Sequence, residues 1–330
     1  CNRCPGTAGA GYRIVTANAL SGPIRLGLVG LGKIARDQHL PAIEQTDGIE
    51  LVAVASRAAN HPGVANYQLL EEMLAAQDDL QAVVLCQPPQ VRYAAARQAL
   101  LAGKHVFLEK PPGMTLSEVE ALKDIARSKG VTLFASWHSR AGSAVEKASA
   151  WLAGRTIESI RIDWKEDVRV WHPGQDWIWQ PGGFGVFDPG INALSILTHI
   201  VPEAVRMKAA DLSFPENRQA PIAATLEMAT ASGAPVQAEF DFLQTGPQSW
   251  DIAVQTSDGP LVLGEGGNTL SVCGREVELD GQNEYRTLYQ HFVTLVGGGR
   301  SDVDLAPLRL VADAFLCGSR RNVEPFYDET

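Results

Sequence analysis

A short apolar run at residues 24–29 leads directly into Gly30-Leu31-Gly32-Lys33-Ile34-Ala35, and from there the apolar spacing is helical to about Gln45. Few folds accept that succession of strand, tight turn and helix. Gly30 allows the turn, Gly32 lets the backbone approach a pyrophosphate, and the small Ala35 sits where helix meets strand. The N–H groups of the helix then face the phosphates. Taken alone, the same letters also fit a glycine-punctuated turn in any α/β protein.

The rest of the first half favours the dinucleotide reading. Apolar runs recur at 51–55, 82–85, 105–108 and 131–135, with helical stretches at 91–102 and 116–128 between them. This alternation predicts a doubly wound parallel sheet, whose ligands sit beyond the carboxyl ends of the strands. After the second run the usual ribose-binding carboxylate is missing, and Ser56-Arg57 stands there. A hydroxyl and a guanidinium suit a 2′-phosphate, so NADP is expected as the preferred cofactor and NAD as a second. After the third run, Cys86-Gln87-Pro88-Pro89 is either an apolar wall beside the nicotinamide or a plain turn. The fourth delivers Glu109-Lys110-Pro111-Pro112, which places a lysine at the carboxyl edge of the sheet. Burial and an oxidised nicotinamide would lower its pKa toward working pH, and a cis Lys110–Pro111 bond is expected. The cofactor contacts therefore fall on Gly30, Leu31, Gly32, Lys33, Ile34, Ser56, Arg57, Cys86, Gln87, Pro88, Glu109 and Lys110.

Beyond about Ser139 the texture changes. Alternating strands at 222–228 and 236–242, with helices at 189–200 and 305–319, predict an α+β domain with a large, mainly antiparallel sheet. The 330 residues accommodate two cores. The expected division is an extension at 1–22, a Rossmann domain at 23–138, and a substrate-binding and oligomerisation domain at 139–330. A net charge of -10 argues against a nucleic-acid partner, and no apolar stretch is long enough to span a membrane. Five scattered cysteines suit a reducing compartment, and the cytoplasm is the expected location. Cys1-x-x-Cys4 lacks a second ligand pair, so no metal is expected.

Candidate substrate residues cluster in the second half. Asp188 and Asn192 are one helical turn apart and can project from one face, although Asp188-Pro189 equally reads as a helix start capped by Asp. Six of the seven tryptophans lie between Trp137 and Trp179, a concentration expected where sugar rings stack on indoles. Glu166 and Trp171, with Trp250 as a further wall, are assigned to a sugar's polar edge and apolar face. His138, just after the fifth run, is placed to bond a ring hydroxyl.

The turn at Gly30, the phrase Gly103-Lys104-His105-Val106-Phe107-Leu108-Glu109-Lys110-Pro111-Pro112, and Gly182-Gly183-Phe184-Gly185-Val186-Phe187-Asp188-Pro189-Gly190-Ile191-Asn192 together resemble the glucose-fructose oxidoreductase/inositol dehydrogenase/rhizopine catabolism (Gfo/Idh/MocA) family. The likeness runs from about Ile24 to the end. Within the family, the stretch from Trp171 to Asn192 is similar to the bacterial dehydrogenases of D-galactose and L-arabinose. Most members carry histidine where this chain has Asn192, and an amide can hydrogen-bond but cannot move a proton. The resemblance implies oxidation of an aldose (galactose, arabinose or fucose) at C1 to the lactone, with Lys110 and Asp188 catalytic and His138, Glu166, Trp171, Asp188, Asn192 and Trp250 holding the sugar. A homo-oligomer formed through the second sheet is also expected. The alternatives are another dehydrogenase or reductase of the same fold, or a sugar or nucleotide sensor without turnover.

Overall fold

The computed structural model describes residues 22–328. The 1–22 extension, with Cys1 and Cys4, therefore lies almost wholly outside the described residues. The first half is built from β1 (Ile24–Val29), a π-turn at Ala35–His39 running into α1 (Leu40–Glu44), β2 (Ile49–Ala55), β3 (Ala65–Tyr67), α2 (Leu70–Ala76), β4 (Ala82–Leu85), α3 (Pro89–Leu101), β5 (His105–Leu108), α4 (Leu116–Lys129) and β6 (Leu133–Ala135). All six strands are parallel in the order β3-β2-β1-β4-β5-β6. Order reverses between β1 and β4, so the loops leaving those two strands diverge and open a crevice above them. The strands read as near-continuous apolar runs because both faces are covered: Leu26, Leu28, Val84 and Phe107 pack on one side, Val83, Leu85, Val106 and Leu108 on the other.

The second half runs through α5 (Val145–Leu152), β7 (Ile157–Lys165), α6 (Val168–Trp171), α7 (Phe187–Ile200), β8 (Val205–Pro215), β9 (Ala223–Thr230), β10 (Pro235–Asp241), β11 (Ser249–Thr256), β12 (Gly259–Gly264), β13 (Thr269–Val272), β14 (Arg275–Glu276), α8 (Glu284–Gly297), α9 (Ala306–Cys317) and β15 (Gly318–Val323). Its nine strands form one sheet in the order β14-β13-β12-β11-β7-β10-β9-β8-β15, antiparallel except for the β7–β10 and β8–β15 pairs. Both halves thus have the expected architecture. Side chains alternate along these strands because α5, α7 and α9 cover only one face. On the other face Arg161, Asp163, Lys165 and Glu239 form a ladder of ion pairs.

One long element was not legible from periodicity. Helix α8 follows the second sheet in sequence yet returns to the parallel sheet, where Tyr285, Leu288, Tyr289, Phe292 and Leu295 complete its core. No helix of the described residues is long and apolar enough to cross a membrane.

Candidate active site

The glycine turn is shaped for a dinucleotide. Gly30 has φ +91°, and a Cβ there would come within 3.1 Å of Gln87 Cγ and 3.2 Å of the Gln87 amide nitrogen. Any larger residue would push apart the loops leaving β1 and β4. A Cβ at Gly32 would meet nothing within 4 Å, so that position is open space immediately before the helix N-terminus. An exposed backbone beside helical N–H groups fits a pyrophosphate. Lys33 is turned outward, ion-paired with Asp37. At the end of β2, Ser56 is half-buried, and Arg57 is exposed with no ion pair to any described residue.

Lys110 and Asp188 come from opposite halves and meet. Lys110 Nζ lies 3.2 Å from Asp188 Oδ1 and 3.0 Å from the Asp188 carbonyl oxygen, with both side chains largely buried. The Lys110–Pro111 bond is cis. Helix α7 begins after Val186 and has no side-chain cap, so the alternative of Asp188 as an N-cap does not hold. The helix is apolar around almost its whole circumference, and Gly190 lets Phe240 approach to where a Cβ would be 2.8 Å from its ring. That packing fixes the first turn, and with it the carboxylate. Asn192, a turn further on, is half-buried, and its side chain bonds no described residue.

His172, a residue not singled out by spacing or motif, completes the arrangement. Its Nε2 is 2.8 Å from Glu166 Oε1, while Trp250 donates its indole N–H to Glu166 Oε2 at 2.9 Å. Both oxygens of the buried Glu166 are thus engaged, and its first task is to aim His172 and Trp250. Nδ1 of His172 points toward Asp188 Oδ2 at 3.7 Å, too far to bond, and is a buried atom without a hydrogen-bond partner among the described residues. Trp171, 41% exposed, packs edge-on against Trp250 with centroids 4.7 Å apart. The tryptophan concentration needs correcting, since Trp137, Trp164 and Trp179 are buried in the core and Trp151 and Trp177 pack against it. Of the cluster, only Trp171 is left at the site, joined by the more distant Trp250.

Beneath Lys110 lies a buried polar network. Glu109 accepts from the Tyr285 hydroxyl at 2.6 Å and contacts His39 Nε2 at 3.3 Å, and His39 Nδ1 contacts the Tyr289 hydroxyl at 2.7 Å. The π-turn in the cofactor-facing helix ends on His39. Burial works to raise the Glu109 carboxyl, but the His39 hydrogen bond and the charges of His39, His138 and Lys110 outweigh it and hold it down to about 2. Arg92, also absent from the sequence-level assignment, donates to the carbonyls of Gln87, Glu109 and Pro111, clamping the loops after β4 and β5 together. Burial draws its guanidinium down to about 10. Burial likewise pushes the Cys86 thiol up, so it is an inert wall. His138 gives Nδ1 to Glu284 at 2.8 Å and stacks on Tyr285, while its Nε2 bonds no described residue.

This network makes a pH prediction. The folded Glu109 value lies below the ordinary carboxyl value of 4.5, so the stabilisation is complete above that pH and is lost as pH falls through about 2. Glu109→Gln is expected to cost roughly 3 kcal/mol near neutrality, with the deficit narrowing below pH 4.5. Urea unfolding of both proteins at pH 7, 4 and 3 measures it; a deficit that did not change with pH would mean that folding leaves the Glu109 carboxyl at its ordinary value.

The sequence profile of an oxidoreductase family with an NAD-binding Rossmann fold, Gfo/Idh/MocA, matches residues 24–136. The galactose 1-dehydrogenase of Pseudomonas fluorescens is 49% identical over 306 residues, which span 93% of this chain and 99% of that one. The chain belongs to the Gfo/Idh/MocA oxidoreductase family. Among solved structures, the D-galactose-1-dehydrogenase from Rhizobium etli matches with a TM-score of 0.90 at 57% identity, covering 94% of this chain and all of that one. A 3-ketoreductase from Actinomadura kijaniata, 19% identical, has the same fold, with a TM-score of 0.80 over 92% of this chain. As a family member the chain is an oxidoreductase with a nicotinamide-dinucleotide fold, and the glycine turn provides the cradle that such a cofactor requires.

Proposed function

We infer that this Gfo/Idh/MocA enzyme is an aldose 1-dehydrogenase acting on galactose-type sugars, including L-arabinose and D-fucose. The observation that carries this is the 3.2 Å meeting of Lys110 and Asp188 beside His172 Nδ1, which bonds no described residue. A cation, a carboxylate and an imidazole nitrogen lacking a partner suit a hydroxyl-rich ring, and Trp171 with Trp250 offers its apolar face a wall. The two relatives of high identity named for galactose support the same reading.

A nicotinamide dinucleotide held on the Gly30–Gly32 turn would supply the acceptor for the hydride from C1. The chain's own residues handle the proton and the geometry. The Lys110–Asp188 pair holds the C1 hydroxyl and takes its one proton as C1 gives up the hydride, leaving the aldonolactone carbonyl. Glu166 keeps His172 in one tautomer by engaging Nε2, so that Nδ1 is left for a sugar hydroxyl. Asn192 and His138 Nε2 supply further hydrogen bonds at the ring's edge. Initial rates at 340 nm with galactose, arabinose, glucose and inositol, each with NADP and NAD, test the reading. Galactose-type sugars should turn over fastest; cofactor binding without any turnover would favour a sensor.

NADP is the preferred cofactor on this reading, because Arg57 is exposed, pairs with no described residue and lies at the end of β2. Arg57→Ala should raise KM for NADP by about 10–100-fold, the worth of one or two charge-assisted hydrogen bonds, and leave NAD almost unchanged. Equal losses would remove Arg57 from 2′-phosphate recognition. The open sheet face is proposed to pair with a second copy in the cytoplasm, which sedimentation equilibrium would test.

A further inference from the structure

We propose that Phe326, near the C-terminus, is a positioning residue for the sugar site, strapping down the loop that carries Trp171 and His172. The inference rests on the reading of that pocket as the sugar site. Phe326 is only 5% exposed, although Glu324 and Tyr327 on either side of it are exposed and the described residues after β15 form no helix or strand. A single buried aromatic on exposed coil is an anchor, and its surroundings show what it anchors.

Its backbone is held on both sides by one side chain. Asn217 accepts from the Phe326 amide at 2.9 Å and donates to the Phe326 carbonyl at 2.8 Å, and Arg218 Nε adds a donor at 3.3 Å. The ring touches both ends of the 169–179 segment. Arg169, in α6, lies over it at 5.2 Å, and Trp179 packs on it with centroids 5.2 Å apart. Between those two ends lie Trp171 and His172. The contact is also continuous with the site, since Trp179 packs on Phe242 at 5.7 Å and Phe242 on His172 at 5.5 Å. The Trp179 carbonyl accepts from the Gln219 amide at 3.1 Å, so the 217–219 segment grips the tail and the loop together. By contrast, the segment's own helices are one turn each, over Val168–Trp171 and Asp176–Trp179, too short to hold their shape alone. Among the described residues, the hydrogen bonds and ring contacts of Phe326, Asn217 and Arg218 do not reach the glycine turn or Arg57, so loss of the strap should fall on sugar and not on cofactor.

Three variants test this: Phe326→Ala, Phe326→Tyr and Asn217→Ala. Phe326→Ala should raise KM for the sugar about tenfold, with cofactor affinity, read from quenching of tryptophan fluorescence, within twofold. Phe326→Tyr should restore most of the sugar KM, and Asn217→Ala, which leaves every aromatic ring in place, should reproduce part of the loss. Amide hydrogen exchange of the free protein gives a readout that needs no turnover: exchange across residues 169–180 should rise in Phe326→Ala and Asn217→Ala, while that of β1 and β2 stays at the wild-type rate. If no sugar is oxidised by the wild type, the functional reading fails and exchange still decides the strap. Unchanged exchange at 169–180 overturns the inference, as does exchange that rises equally throughout the chain.

Discussion

Lys110→Ala is expected to lower kcat by at least about 10³-fold while leaving the dissociation constant of the nicotinamide cofactor within a few-fold. The lysine is held from both sides. Behind it, Arg92 bonds the carbonyls of Glu109 and Pro111, and Glu109 is fixed by Tyr285 and His39. In front, its ammonium group spans the Asp188 carboxylate and carbonyl. Alanine removes the amine without altering any of the backbone clamps, so the cofactor crevice should survive. What is lost is the cation that partners Asp188 and shares the C1 hydroxyl proton. Stopped-flow single turnovers would separate this from product release: the burst itself should slow, with wild-type cofactor affinity by titration. A variant that kept wild-type bursts would exclude the lysine from the proton step.

The first half was legible because its physics is local. A parallel strand buried on both faces is a continuous apolar run, and Gly30 and Gly32 sit where only glycine fits or where the backbone must be bare. The meeting of Lys110 with Asp188 was legible through motif resemblance, since the two lie 78 residues apart and no spacing rule joins them. His172 and Arg92 were missed for the same reason: each matters through a partner that only the fold brings close. A weak signal did exist for His172, which stands six residues after Glu166 across a one-turn helix, a reach at which one side chain can turn back on the other. The tryptophans misled because indoles fill large cores as readily as they line sugar sites, and burial rather than count separates the two uses. Helix α8 was invisible as part of the nucleotide half because a chain that leaves a core and returns to it more than a hundred residues later leaves no local trace.

Asp188→Asn is the second large effect, and it bears on which group takes the proton. Asparagine keeps the shape, and its amide oxygen still accepts from Lys110, but it carries no charge and cannot be protonated at working pH. The expected loss in kcat is about 10²–10³-fold, with KM for the sugar changed far less because Asn192, His172 and the Trp171–Trp250 wall remain. If Lys110 and Asp188 handle the proton as one unit, the double variant Lys110→Ala/Asp188→Asn should be no slower than the slower single variant. If each contributes separately, the losses should multiply. The 3.2 Å contact favours the first result, because neither group can change its protonation without changing what the other faces. Multiplying losses would assign the lysine and the carboxylate to different steps, and an active Asp188→Asn enzyme would move the proton acceptor to Lys110 alone.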